Sequence, residues 1–204
     1  MASQRERPTG LRDQQKQFTR ERLAESAVRV IGRKGYANAS IEEIAGEAGA
    51  SRATFYLHFS SKVEVVRALM GPLLDDAMTQ YERLPSMAGP AWSDIRAWLA
   101  DFIGLWEERG AEIGMVQQAA AIEPEISEAI MDAIGRTTDV LAPWVAACAG
   151  IDRDEAVLRA TLWILEVERT AYFWKIRQIP FEREPVLDAL ADSVWASLRP
   201  PERS

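Results

Sequence analysis

Among the hydrogen-bond donors between Ser51 and Lys62, six suit nucleic acid: Ser51, Arg52, Thr54, Tyr56, His58 and Lys62. Arg52 and Thr54 fall near the start of a helix, the place from which side chains reach base edges in a major groove. Tyr56, His58 and Lys62 stand at spacings that suit phosphate oxygens. The plainer reading makes Tyr56 and Phe59 core, His58 a solvated surface histidine and Ser51 a simple cap. Catalysis fits these residues poorly. His58 is the only histidine, so no His-based triad or His cluster can form. There is no P-loop, no G-x-G-x-x-G and no HExxH. Asp75 and Asp76 are sequence neighbours that point apart on a helix, not a convergent carboxylate pair. The single cysteine, Cys148, excludes an internal disulfide and any cysteine-based zinc site. It stands among Ala146, Ala147 and Ala149, where packing is its natural role. No metal and no cofactor is expected.

The elements that must position the donors are legible around them. The stretch SIEEIAGEAGASRATFYLHFSSK, Ser40 to Lys62, reads as two short helices joined by a tight turn. Ser40 and Glu43 form an S-x-x-E capping box that satisfies free N–H groups at a helix start. Ile41, Ile44, Ala45 and Ala48 follow at helical spacing, and Gly49 stands where a left-handed residue ends the helix. Ser51 caps the next helix, which carries Ala53, Phe55, Tyr56, Leu57 and Phe59. Ser61 and Glu64 form a second box before a longer helix. Helix, turn of three to four residues with glycine, helix is a helix-turn-helix.

Composition sets the limits. The 204 residues suffice for one large or two small domains, and 48% hydrophobic with 27% charged residues is ordinary for a soluble globular protein. The net charge of −7 is unevenly distributed. Residues 1–70 hold 12 Lys+Arg against 8 Asp+Glu, or +4, leaving 12 against 23, or −11, for the remainder. A basic head on an acidic body would be oriented towards nucleic acid by its field. Residues 1–17 have no apolar signal-peptide core and are expected to form a disordered basic tail, with Arg5, Arg7, Arg12 and Lys16 able to reach phosphates. No segment has an uninterrupted apolar run of about 18 residues, so no membrane span is expected, and the location expected is cytoplasmic.

Along the chain, apolar periodicity predicts a first helix over Thr19–Lys34 and a fourth from Ser61 through Ala77, with Pro72 expected to kink it. The loop LPSMAGP follows. Further helices are predicted over 93–109, 112–122, 124–149, 152–178 and from Pro185 to about Ser197. No segment alternates with a two-residue period. The fold class expected is all-α, with about nine helices.

The string T-F-Y-L-H-F-S-S-K (Thr54 to Lys62), preceded by I-A-x-x-A-G-A-S (Ile44 to Ser51) and by Gly35 and Tyr36, closely resembles the DNA-binding domain of the TetR family of transcriptional regulators. The resemblance covers roughly residues 18 to 70. It implies a three-helix DNA-binding domain over 18–64 and a separate helical domain, 65–204, that binds an effector and dimerises. Carried over by position, Tyr36 and Ser40 are implied phosphate contacts, while Ser51, Arg52, Ala53, Thr54, Tyr56 and Leu57 fall on the recognition helix. His58 and Lys62 are the implied phosphate clamp. Glu42 and Glu43 depart from the pattern, since many relatives carry a basic or neutral residue there. That weakens any DNA contact from this helix while suiting its macrodipole.

The body holds all seven tryptophans. Trp98, Phe102 and Trp106 recur at i, i+4, i+8 and could wall an apolar cavity, although aromatic stripes are more often core. Glu168-Arg169-Thr170 and V-W-x-S at Val194–Ser197 resemble the mycobacterial repressors that control ethionamide activation. That subgroup implies a long apolar tunnel lined by Phe102, Trp106, Val167, Tyr172 and Trp195, with Ile134, Trp163 and Thr170 as further candidates. Val167 replaces the subgroup's ligand-gripping asparagine, implying a different ligand headgroup. Glu168 and Arg169 read as a salt-bridge element. The last two helices carry Leu158, Leu162, Leu165, Leu187, Leu190 and Val194, the implied homodimer interface of four helices; packing into their own domain is the alternative.

The function expected is a ligand-responsive transcriptional regulator. It would be a repressor that binds palindromic operator DNA as a dimer and is released by an apolar small molecule. The rival from another class is a helical small-molecule-binding protein or enzyme whose helix-turn-helix does not read DNA.

Overall fold

In the computed structural model, which describes residues 10–87 and 89–200, the chain divides into two compact units, Met1–Leu69 and Met70–Ser204. Among the described residues there are nine α-helices, with one short 3-10 turn and one π-helical turn, and no strand occurs. None of these helices is long and apolar enough to cross a membrane.

The first unit holds α1 (Leu11–Lys34), α2 (Ile41–Glu47), α3 (Arg52–Tyr56) and the start of α4 (Lys62–Glu82). Its caps follow the sequence. The Ser40 hydroxyl accepts from the Glu43 amide at 3.2 Å, and the Glu43 carboxylate accepts from the Ser40 amide at 3.1 Å. Ser51 accepts from the Thr54 amide at 3.0 Å, and Ser61 accepts from the Glu64 amide at 3.2 Å. Gly49, at φ +63°, makes the turn between α2 and α3. Leu23, Ala27 and Ile31 of α1 are buried together with Ile44, Phe55, Phe59, Val65 and Val66, all at or near zero exposure. Removing one such ring, as in Phe55→Ala, costs about 3–5 kcal/mol.

One expectation is corrected. Residues 11–17, predicted to belong to a disordered tail, are the first turns of α1; the rest of that tail, 1–9, lies outside the described residues. This extension is exposed along its length and has no apolar stripe to betray it. Good helix formers, Asp13 in the first turn and a Gln17–Glu21 hydrogen bond of 2.8 Å sustain it instead.

The second unit takes the remainder of α4, then α5 (Trp92–Glu108), α6 (Gly110–Ala120), α7 (Pro124–Ala149), α8 (Arg153–Ala171) and α9 (Arg183–Ser197). Helices α4 and α7 run through Pro72 and Pro143. Helix α7 ends at Gly150 in the left-handed region, and Asp152 caps α8 by accepting from the Glu155 amide at 2.9 Å. Helix α8 does not continue to 178. It passes at Tyr172 into a π-helical turn that ends at Ile176. Tyr81, Trp98, Phe102 and Trp163 form the aromatic centre of the core, with ring centroids 5.1–6.0 Å apart. Such offset and edge contacts add to the burial of large apolar surface.

Candidate nucleic-acid interface and effector cavity

Helix α3 has two faces. Phe55 anchors the inner one at 0% exposure. Ser51, Arg52, Ala53, Tyr56 and Leu57 are exposed, and Leu57 is 76% exposed although it is apolar. The Ser51 and Thr54 hydroxyls lie 2.9 Å apart. This outer face offers a guanidinium, hydroxyls and two apolar groups, the set that reads guanine edges and thymine methyls.

Arg52 is held back. Its Nη1 lies 2.6 Å from Oε1 of Glu42, and its guanidinium carbon is 5.6 Å from the Tyr56 ring centroid. Other acids of the unit are paired too. Lys34 bonds Glu43, and this bond, followed by those from Ser40, holds the Glu43 carboxyl down at about 2. Arg33 and then Arg29 keep Glu47 below the usual carboxylate range. Pairing within the unit thus answers the departure at Glu42 and Glu43.

The implied phosphate contacts divide. Ser40 is half-buried, its hydroxyl within the capping box. The Tyr36 ring is buried at 2% exposure and packs in the core. Lys62 reaches back over that ring, Nζ 4.2 Å from its centroid, and donates to the carbonyls of Tyr36 and of Ala39, the latter at 2.9 Å. It therefore ties the α1–α2 loop to the start of α4, a structural duty the sequence did not disclose. His58 is half-buried, and its Nδ1 is buried without a partner. Burial, then the charges of Lys16 and Arg20, lowers its pKa, so the neutral ring is favoured. A neutral imidazole can donate only through its one N–H.

Two residues that sequence reasoning missed support this surface. Arg20 donates to the His58 carbonyl and lies 4.0 Å from the Phe59 ring centroid, and Arg22 donates to the Ala48 carbonyl. Their partners lie 26–38 residues away, so no local pattern reveals the pairing.

In the second unit two cavities adjoin. One, of about 80 Å³, is lined by Met70, Leu73, Phe102, Trp106 and Gln117 among others; its neighbour, of about 100 Å³, is lined by Tyr81, Ile134 and Thr137 among others. They share Leu74, Ala77, Ile130 and Glu168. Burial pushes the Glu168 carboxyl up to about 7, against the lowering effects of the Tyr81 hydroxyl at 3.5 Å and of the Arg169 charge. Arg169 lies over the Tyr172 ring at 5.4 Å. The expected Glu168–Arg169 salt-bridge element is therefore not formed: one residue turns to the cavities and the other to a ring.

The remaining pocket candidates are scattered. Trp163 and Val167 are core residues that line neither cavity. Thr170 borders a shallow groove with Phe181 and Pro185, Trp195 borders another with Arg159, and Tyr172 lines none of these. The implied continuous tunnel is replaced by the two small cavities. The α4 residues that line them carry only a helical-spacing signal, Met70, Leu73, Leu74 and Ala77, interrupted by Asp75 and Asp76.

The dimer candidates also divide. Leu158, Leu162 and Leu165 stand exposed at i, i+4, i+7 on α8, Leu162 by 58%. Leu187, Leu190 and Val194 are buried in the chain's own core, Val194 at 0%, and have no surface left for a partner. Among the described residues no group of three or more His, Cys, Asp or Glu could hold a metal ion.

Comparison with known proteins agrees with this arrangement. Residues 23–69 match the family model described as bacterial regulatory proteins, tetR family. The chain is 30% identical over 145 residues to the HTH-type nicotine-responsive transcriptional repressor HdnoR of Paenarthrobacter nicotinovorans, covering 60% of this chain and 73% of that one. It is 22% identical over 180 residues to the HTH-type transcriptional activator FasR of Mycolicibacterium smegmatis, covering 88% and 82%. The fold matches that of the TetR family regulator PfmR from Thermus thermophilus, with a TM-score of 0.67 at 22% identity over 89% of this chain and 100% of the other. These relatives are regulators of transcription, not enzymes. With its helix-turn-helix and all-helical second unit, the chain belongs to the TetR family of bacterial transcriptional regulators.

Proposed function

We propose that this regulator is a repressor that grips a palindromic operator as a homodimer and lets go when an apolar small molecule occupies the second unit. The observation that carries the reading is the outer face of α3, where Arg52, Tyr56 and Leu57 are left exposed while Phe55 fixes the helix from behind. A two-fold dimer presents two such faces to successive major grooves, which is why the operator is palindromic. The exposed leucines of α8 supply a self-complementary apolar stripe for that dimer. The negative regulatory sign is supported by the repressor relative at 30% identity, while the activator relative, at 22%, makes the sign the first thing to test.

Leu73, Leu74 and Ala77, which border the apolar cavity, lie on α4, the helix that begins at Lys62. An effector that packs better against one setting of these residues favours that setting. It shifts the equilibrium only by its difference in affinity for the two states.

The test is binding of the purified protein to DNA from around its own gene, titrated against salt, with Arg52→Ala beside it. The reading expects a dimer on one palindromic site, steep salt dependence, and relaxed base preference in the variant. Weak binding that is equal on every duplex, persisting after selection from random sequences, overturns it. A reporter on the same promoter gives the sign: expression rises on deletion of a repressor and falls on deletion of an activator.

A further inference from the structure

Glu168 is misplaced for a structural residue. All the side chains around the smaller cavity except Gln117 and Glu168 are apolar, and Glu168 lines the adjoining cavity as well. A carboxyl in such a setting is costly unless something pairs with it. Its hydrogen-bond contact is the Tyr81 hydroxyl, at a long 3.5 Å. Among the described residues no lysine or arginine stands within ion-pair distance of it; Arg169, next in sequence, is placed over Tyr172. Phe102 and Trp106 wall the same cavity, and aromatic faces attract cations. A carboxyl without an ion-pair partner, aromatic faces and an apolar enclosure together match one ligand chemistry.

We propose that the effector is a lipophilic amine, its hydrocarbon part in the apolar cavity and its ammonium group on the Glu168 carboxylate. This rests on the reading of the second unit as an effector-binding body and names the class of effector. An anionic ligand would face a like charge, and a neutral one would leave the carboxylate without a counter-charge.

Proton balance gives the proposal a second readout. Below neutral pH the unliganded carboxyl is protonated, so an ammonium ligand binds with release of that proton to solvent. The other titratable groups facing this region are Tyr81 on α4, Arg169 on α8 itself, and Asp75 on α4 with Arg136 on α7 around the larger cavity. Helices α5 and α6 contribute only uncharged side chains to the lining. Affinity for the amine therefore falls by about tenfold between pH 8 and pH 6, as Glu168 takes up its proton. An alcohol of the same shape shows no such fall.

The experiment is calorimetric titration of the full chain and of Glu168→Gln with 4-phenylbutylamine and 4-phenylbutanol, at pH 8 and pH 6. The expected result is that the amine binds the native chain at least about tenfold tighter than the alcohol at pH 8. Glu168→Gln removes that advantage and leaves the alcohol unchanged. An alcohol that binds as well as the amine, or an amine indifferent to Glu168→Gln, overturns the amine proposal and leaves the effector-binding body standing. Binding of neither compound overturns both. Should Glu168→Gln fail to fold, the native chain's preference for amine over alcohol and its pH dependence decide the matter.

Discussion

Arg52 Nη1 lies 2.6 Å from Glu42 Oε1, so the arginine best placed to reach a base is tethered to a carboxylate of the preceding helix. Both side chains are more than half exposed, at 62% and 55%, and an exposed pair of this kind opens readily. In the proposed binding mode, DNA opens the pair and brings Glu42 towards phosphates. Glu42→Gln is therefore expected to raise affinity for any duplex by roughly threefold. A fluorescence-anisotropy titration against specific and random duplexes checks this. Unchanged affinity on both would mean that Glu42 is remote from the DNA.

Lys62 is expected to serve stability as well as binding. Its ammonium donates to two loop carbonyls and covers the Tyr36 ring. Lys62→Ala should lose about 2 kcal/mol through these charge-assisted bonds. A thermal melt followed by circular dichroism should show the loss in the first unit. Weaker DNA binding with an unmoved melt would instead assign Lys62 to the phosphates alone.

The exposed α8 stripe is the proposed dimer surface. Leu162→Glu puts a charge in the middle of Leu158, Leu162 and Leu165, whose side chains are exposed in the single chain. Sedimentation velocity should then show monomer where the native chain is dimer, with the helical circular-dichroism signal retained. A variant that stays dimeric would place the interface elsewhere.

Glu168 makes stability fall with rising pH. Its folded pKa, about 7, is above the ordinary 4.5, so between those values the folded chain holds more protons than the unfolded one. Stability from this group is complete below about 4.5 and is lost as pH rises through 7. Glu168→Gln cannot ionise and should melt a few degrees above the native chain at pH 8, with the gap narrowing at pH 5. An equal gap at both pH values would show that the carboxyl ionises as freely as in water.

Much of the head could be read directly. Ser40, Ser51 and Ser61 each announce a cap by type and spacing, and local hydrogen bonds honour all three. Gly49 announces the turn because a positive φ favours glycine. What escaped was set by partners distant in sequence. Tyr36 looked like a surface donor until Lys62 and the core enclosed it, and α9's leucines looked free until α5 covered them. The first turns of α1 escaped for the opposite reason: that segment buries nothing, so no periodicity marks it. Glu168 was legible as a charge in an apolar helix, but its direction depended on α4 and α7, which line the cavities it faces.

The placement of the indole rings has a consequence for observation. All seven tryptophans lie between Trp92 and Trp195, with none in the DNA-reading unit. Excited near 295 nm, the chain emits only from its second unit, so its emission follows that unit's cavity and melting while remaining blind to the head. A single tryptophan introduced at an exposed head position would add a second optical channel.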